Sequence, residues 1–144
     1  MPEKKTIQRA KRDKAQGKAP TTQAGEFVRE EMDHIRKGKH GARSSKQAIA
    51  IGLSKARRSG VDLPAPKRGT ASTATRKKAQ RDLEKGRSGR KTKVSAKRSQ
   101  ARRKALKKEP RSAASKSALS KQAKRAASNR RSRGKATAAK KRRR

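Results

Sequence analysis

Aromatic residues are almost missing from this chain. It has no Trp and no Tyr, and Phe27 is its only Phe. Single-strand binders that stack bases, and RNA-recognition sheets, need several rings, so neither is expected. Cysteine is absent, which excludes disulfides and thiolate chemistry. Acids are scarce, 10 Asp and Glu against 48 Lys and Arg. No apolar run approaches the ~20 residues of a membrane span. The opening MPEKKTIQRAKRDK lacks an apolar segment, so a secretory signal is not expected there.

What is present is charge. Across 144 residues, 40% are charged, 27% are hydrophobic and the formal net charge is +38. The length suits one domain. Self-repulsion and a thin supply of apolar surface argue that much of the chain stays disordered, or turns helical only when its charge is neutralised. The charge is uneven: 32 of the 48 basic residues follow residue 64, with only 3 acids among them. A densely anionic partner is the physical counterpart, and nucleic acid is the commonest.

Three segments follow from this pattern. Residues 1–21 read as a solvated basic arm, with at most a short helix from Thr6 to Lys14. Residues 22–64 read as a helical hairpin. Its first helix, 22–38, carries Ala24, Val28, Met32 and Ile35 on one stripe, with Phe27 at the edge and Gly38 as the C-terminal stop. Its second, 44–59, opens with the S-x-x-Q capping spacing of Ser44 and Gln47 and shows Ile49, Gly52, Leu53 and Ala56 on its stripe. Val61 is placed to touch Ala56 after Gly60. Gly52 costs roughly 1 kcal/mol relative to Ala in a helix, which close approach of the first helix would offset. The expected core is therefore Phe27, Val28, Met32, Ile35, Ile49, Gly52, Leu53 and Ala56. Ile51 lies off that stripe with Lys55 and Arg58, a candidate face for homodimerisation or for docking a partner.

Residues 65–144 read as a cationic tail behind the linker Pro64-Ala65-Pro66. Helical words occur at 75–85, 95–109 and from Ser112 or Ser115 onward, but Lys and Arg fall on most faces. The expected fold is thus mainly α: a small two-helix hairpin with a long, mostly disordered or conditionally helical basic tail. Its candidate phosphate contacts are Arg76, Lys77 and Lys78, then Arg87, Arg90 and Lys91. Lys97, Arg98, Arg102, Arg103, Lys104, Lys107 and Lys108 follow. Lys124, Arg125, Arg130, Arg131 and Arg133 come next, and the terminal Lys140, Lys141, Arg142, Arg143 and Arg144 complete the set.

Catalytic signals are weak. Gly86-Arg-Ser-Gly89-Arg-Lys91-Thr92 fails the P-loop spacing, because Arg90 separates Gly89 from Lys91, and it follows no strand. Ser88-x-x-Lys91 is a nucleophile spacing that a Ser- and Lys-rich chain produces by chance. Arg133-Gly134-Lys135 lacks the Pro of a minor-groove insert. His34 and His40 show no metal-ligand pattern; Glu30 and His34 at i,i+4 read as a surface ion pair. No catalytic residue, cofactor, metal or small-molecule substrate is expected. The acids Glu26, Glu30, Glu31 and Asp33 read as a solvated helix face or, alternatively, as a dock for the chain's own tail or a basic neighbour.

The run Ser45-Lys-Gln-Ala-Ile-Ala-Ile-Gly-Leu-Ser-Lys-Ala-Arg57 resembles a motif close to S-[KR]-KQAIAIGLSEAR found in a family of small, basic, uncharacterised bacterial proteins. GEFVREEMDHIRKGKHGAR, residues 25–43, resembles the segment that precedes it. Lys55 stands where that family often has an acid. The resemblance implies a bacterial source and no established activity. The tail resembles bacterial histone H1-like proteins in composition, without their regular Ala-Lys-Pro repeats. The expected function is sequence-nonspecific binding and compaction of duplex DNA in the cytoplasm, at the nucleoid. The alternatives are a structured-RNA or ribosome-associated binder, and a protein-interaction hairpin with a polybasic anchor.

Overall fold

The computed structural model describes residues 2–89 and 95–142, and for residues 135 and 137–142 the backbone alone. Among the described residues all regular structure is helical. The order is α1 (Lys4–Ala15), α2 (Pro20–Arg36), α3 (Ser45–Arg58), α4 (Thr73–Ser88), α5 (Ala96–Lys108), a 3-10 turn (Arg111–Ala114) and α6 (Lys116–Arg142).

α2 and α3 form the centre. α2 starts at Pro20, two residues before the expected cap, because proline's missing N–H costs nothing in a first turn. It ends at Gly38, whose φ of +72° suits glycine. There Lys39 N–H reaches His34 O at 2.9 Å and Gly38 N–H reaches Ile35 O at 3.1 Å. Ser44 Oγ accepts from Gln47 N–H at 3.2 Å, while Gln47 Oε1 accepts from Arg43 N–H at 2.7 Å. α3 closes with Val61 N–H on Ala56 O at 3.1 Å. At Gly52 the helices touch closely: a Cβ there would lie 2.8 Å from Val28 Cα.

Two apolar clusters flank this pair. One holds Ala10, Ala24, Phe27, Ala56, Val61 and Leu63, with Ile7 and Leu53 against it. The other holds Met32, Ile35, Ala42, Ala48, Ala113 and Ala114, with Val28, Ile49 and Leu119 against it. Residues from outside the hairpin therefore complete both.

That membership overturns the expected architecture. The hairpin is not a free module, and the described part of the tail is not a disordered appendage. The N-terminal arm forms α1, packed on α2 through Ile7 and Ala10, with Thr6 buried inside the helix rather than capping it. α4 packs on α3: Ser54 Oγ donates to Asp82 Oδ2 and Arg58 Nε lies 3.7 Å from Asp82 Oδ1. Gly86 lets α4 pass so close to the Arg57 carbonyl that a side chain would collide with it. The 3-10 turn presses Ala113 and Ala114 into the second cluster, and Ser45 Oγ and Arg36 Nε donate to their carbonyls. The physical reason is that the tail carries a few small or acidic footholds. Each is silent in sequence but valuable against a ready surface.

α5 is the exception. Among the described residues it packs on no other helix and buries no side chain. Its last turn is tied to the α2–α3 connection, where Gly41 N–H donates to Leu106 O at 2.8 Å, and just beyond it Pro110 O accepts from Ala42 N–H at 3.1 Å. α6 touches the rest through α3 and the 3-10 turn, with Leu119 on the second cluster. No helix of the described residues is long and apolar enough to cross a membrane.

Candidate nucleic-acid interface

The expected phosphate contacts divide by the element that carries them. On α4, Arg76 is half-buried and donates to Pro66 O at 3.2 Å, and Arg87 Nε holds Asp62 at 3.0 Å. These two arginines help hold the linker, whereas Lys77 and Lys78 are exposed. On α5, Lys97, Arg98, Arg102, Arg103, Lys104, Lys107 and Lys108 are all exposed. On α6, Lys124, Arg125, Arg130, Arg131 and Arg133 are exposed as well. Arg90, Lys91, Arg143 and Arg144 lie outside the described residues, as do the side chains of Lys140, Lys141 and Arg142. Sequence reasoning passed over Arg111, Lys116 and Lys121, exposed on the same part of the chain.

The acids explain why these cations stay available. Almost all of the acids act near α1–α3. Arg9 Nε meets Glu26 at 2.9 Å, Lys18 meets Asp13 at 2.7 Å and Asp33 meets Arg36 at 3.6 Å. Lys55 Nζ meets Glu31 Oε2 at 2.6 Å. Glu30 Oε2 accepts from the Glu3 backbone N–H at 3.2 Å. Of the acidic cluster of α2, Glu26 meets Arg9 and Glu31 meets Lys55, basic neighbours within the folded chain, while Asp33 stays half-exposed beside Arg36. Glu30 and Glu31 are 4% and 1% exposed and are answered by the N-terminal arm, by α3 and by the connection. Among the described residues, no acid pairs with the named α5 cations.

Burial sets the electrostatics inside. It lowers the Arg57 guanidinium below its ordinary range, with the Asp82 carboxylate opposing that shift. The side chain stays charged and donates to Leu63 O at 3.1 Å and Pro64 O at 3.2 Å, which turns the chain out of α3. Glu3, though exposed, is held down at about 2 by hydrogen bonds from His34 and then Lys39.

The candidate association face is engaged at two of its three positions. Lys55 points to Glu31 and Arg58 to Asp82, while Ile51 is half-buried. Of the expected core, Phe27, Met32, Ile35, Gly52 and Ala56 are buried; Val28, Ile49 and Leu53 are half-buried against the clusters.

The connection between α2 and α3 brings together a group that sequence reasoning set aside. Glu31, His34 and His40 place one ligand atom each within 4.8 Å of one another. His40 Nε2 lies 3.3 Å from Glu31 Oε1, and His34 Nε2 lies 2.9 Å from Glu3 Oε1. The signal was present as Glu31 and His34 at i,i+3 on α2, but only the Gly38 turn shows that His40 comes back over them.

Residues 18–68 match a family of unknown function (DUF6496). The matched segment takes in α2 and α3 and stops before α4, in keeping with the expected resemblance to an uncharacterised family. No curated protein and no solved structure matches the chain.

Proposed function

We propose that this protein binds duplex nucleic acid, DNA foremost, without sequence preference, through the cationic helices α5 and α6, and that this binding compacts the duplex. The observation that supports this reading is the sorting of charge. Most of the acids are buried or paired around α1–α4, and α5 offers a row of exposed Lys and Arg with no acid partner among the described residues. Such a row neutralises phosphates and releases condensed counterions. α6 spans 27 residues, about 40 Å at the helical rise, roughly the length of one turn of duplex. α5 and α6 do not pack on each other among the described residues. Two separate cationic arms on one core favour bridging of two duplex segments. A lone Phe, itself buried, favours backbone contact over base stacking.

Deleting the tail is not a clean test, because α4 and the 3-10 turn complete the core. Neutralising exposed cations is. A variant with Lys104, Lys107, Lys108, Lys121, Lys124 and Arg125 changed to Gln keeps helix propensity and touches no buried residue. Binding isotherms on duplex DNA over a salt series should show a steep slope for the native chain. Each lost phosphate contact lowers that slope by about 0.9. Lys46→Gln, exposed on α3, should change it by at most about one contact. An unchanged slope in the six-site variant would refute the assignment to α5 and α6. Tighter binding to structured RNA than to duplex DNA would transfer the function to the RNA alternative.

A further inference from the structure

We propose that Glu31, His34 and His40 form a binding site for a divalent first-row transition-metal ion, with zinc the best match. This goes beyond the nucleic-acid reading and does not depend on it. α2 sets Glu31 and His34 on one face at i,i+3, and the turn at Gly38 returns His40 to the same place. Their ligand atoms lie within 4.8 Å of one another. The 3.3 Å between Glu31 Oε1 and His40 Nε2 matches the edge of a tetrahedron, about 3.4 Å for zinc–ligand bonds of about 2.1 Å. Two imidazoles and a carboxylate suit zinc and its neighbours rather than calcium or magnesium.

The hydrogen-bond directions carry the argument further. His40 Nδ1 lies 3.0 Å from Gly41 O. A carbonyl only accepts, so Nδ1 carries the hydrogen, and Nε2 is the nitrogen whose lone pair the ring can offer to an ion. Nε2 faces Glu31 Oε1, so two atoms able to bind a cation point into one gap, which a metal ion or a proton can fill. His34 in turn donates Nε2–H to Glu3, and Lys55 Nζ donates to Glu31 Oε2, leaving Oε1. Each of the three residues thus has an outer partner that orients it, the arrangement that supports metal-ligating side chains. Charge also fits. The molecule carries +38 overall, yet Glu3, Glu30 and Glu31 converge here, with Glu30 Oε1 3.9 Å from His34 Nε2. The histidine side chains are 12% and 17% exposed, enough for an ion to enter and for water to complete its shell.

Titrating the full-length chain, without an affinity tag, with Co²⁺ should give a saturable one-to-one visible spectrum that Zn²⁺ displaces. His34→Ala and His40→Ala should abolish it with circular dichroism unchanged. Glu3→Gln should weaken binding by about 10–100-fold, as loss of an outer partner does. His40→Cys guards against loss of fold as a trivial cause. The chain has no other Cys, so a thiolate-to-cobalt charge-transfer band would report ligation at that position alone. A proton filling the gap between Glu31 and His40 predicts instead no Co²⁺ spectrum at neutral pH. That result, or binding that survives both histidine substitutions, or His40→Cys without the new band, would overturn the site.

Discussion

Lys55 and Lys104 carry the same side chain to opposite ends. Lys55, on α3, is 18% exposed and closes on the buried carboxylate of Glu31 at 2.6 Å. Lys104, on α5, stands in water. The contrast extends to their surroundings. α1 to α4 are held by apolar contact and by acids that answer their cations. α5 and most of α6 have the same Lys, Arg, Ala and Ser alphabet without those footholds. Composition therefore did not decide which basic segment joins the core; a handful of small and acidic residues did.

The sharpest way to break this comparison is to remove each lysine. Lys55→Met leaves Glu31 buried beside His40 without its ammonium. Breaking a buried pair from one side costs about 3–5 kcal/mol, and urea unfolding should show a loss in that range. Lys104→Met should change stability by less than about 0.5 kcal/mol, while weakening DNA binding by one phosphate contact. Equal losses from both would mean that the two regions do not differ as described.

Glycine offers a second, smaller contrast. Gly25 and Gly52 sit in α2 and α3, and a Cβ at Gly25 meets nothing within 4 Å. Gly25→Ala should stabilise by about 1 kcal/mol through helix propensity. Gly52→Ala carries the same propensity gain but drives a methyl against the Val28 backbone, 2.8 Å from Cα and 3.0 Å from N. Backbone cannot swing aside as a long side chain can, so the overpacking cost of about 1–3 kcal/mol dominates. Thermal melts of the two variants should move in opposite directions.

These positions show what was legible. The sequence pointed to a close helix approach at Gly52 and to the capping pair Ser44 and Gln47, because both are local signals repeated by neighbouring residues. It did not point to α1 packed on α2 or to α4 and the 3-10 turn on the hairpin. Ile7 with Ala10, Asp82 with Gly86, and Ala113 with Ala114 are too sparse to register as amphipathic faces. Their worth lies in what they meet, and that is set by contacts between residues far apart in the chain. The same holds for the metal-type cluster. Glu31, His34 and His40 look like ordinary polar residues until the turn closes. The exposed cations of α5 and α6 were visible from composition, although their fixed helical presentation was not.

The smallest expected effect separates the regions by acid. Glu3 ties the start of α1 to His34 at 2.9 Å and Lys39 at 3.1 Å. These bonds depress its carboxyl from its usual 4.5 to about 2, the His34 hydrogen bond foremost. A depressed folded value means that the unfolded chain binds the proton more readily. The contribution is therefore complete above the usual 4.5, fades as pH falls below it, and is gone below about 2. Nothing is lost on raising the pH from neutrality through this group. Because Glu3 is exposed, salt should screen the effect. Glu3→Gln should lower the melting temperature slightly at neutral pH and low salt, and the gap to the native chain should close as the solution is acidified through that window. A gap that widens on acidification would reverse the sign and show that Glu3 does not anchor the arm as an ionised carboxylate. The row on α5, with no acid to protonate among its described contacts, should keep its helical signal across the same range.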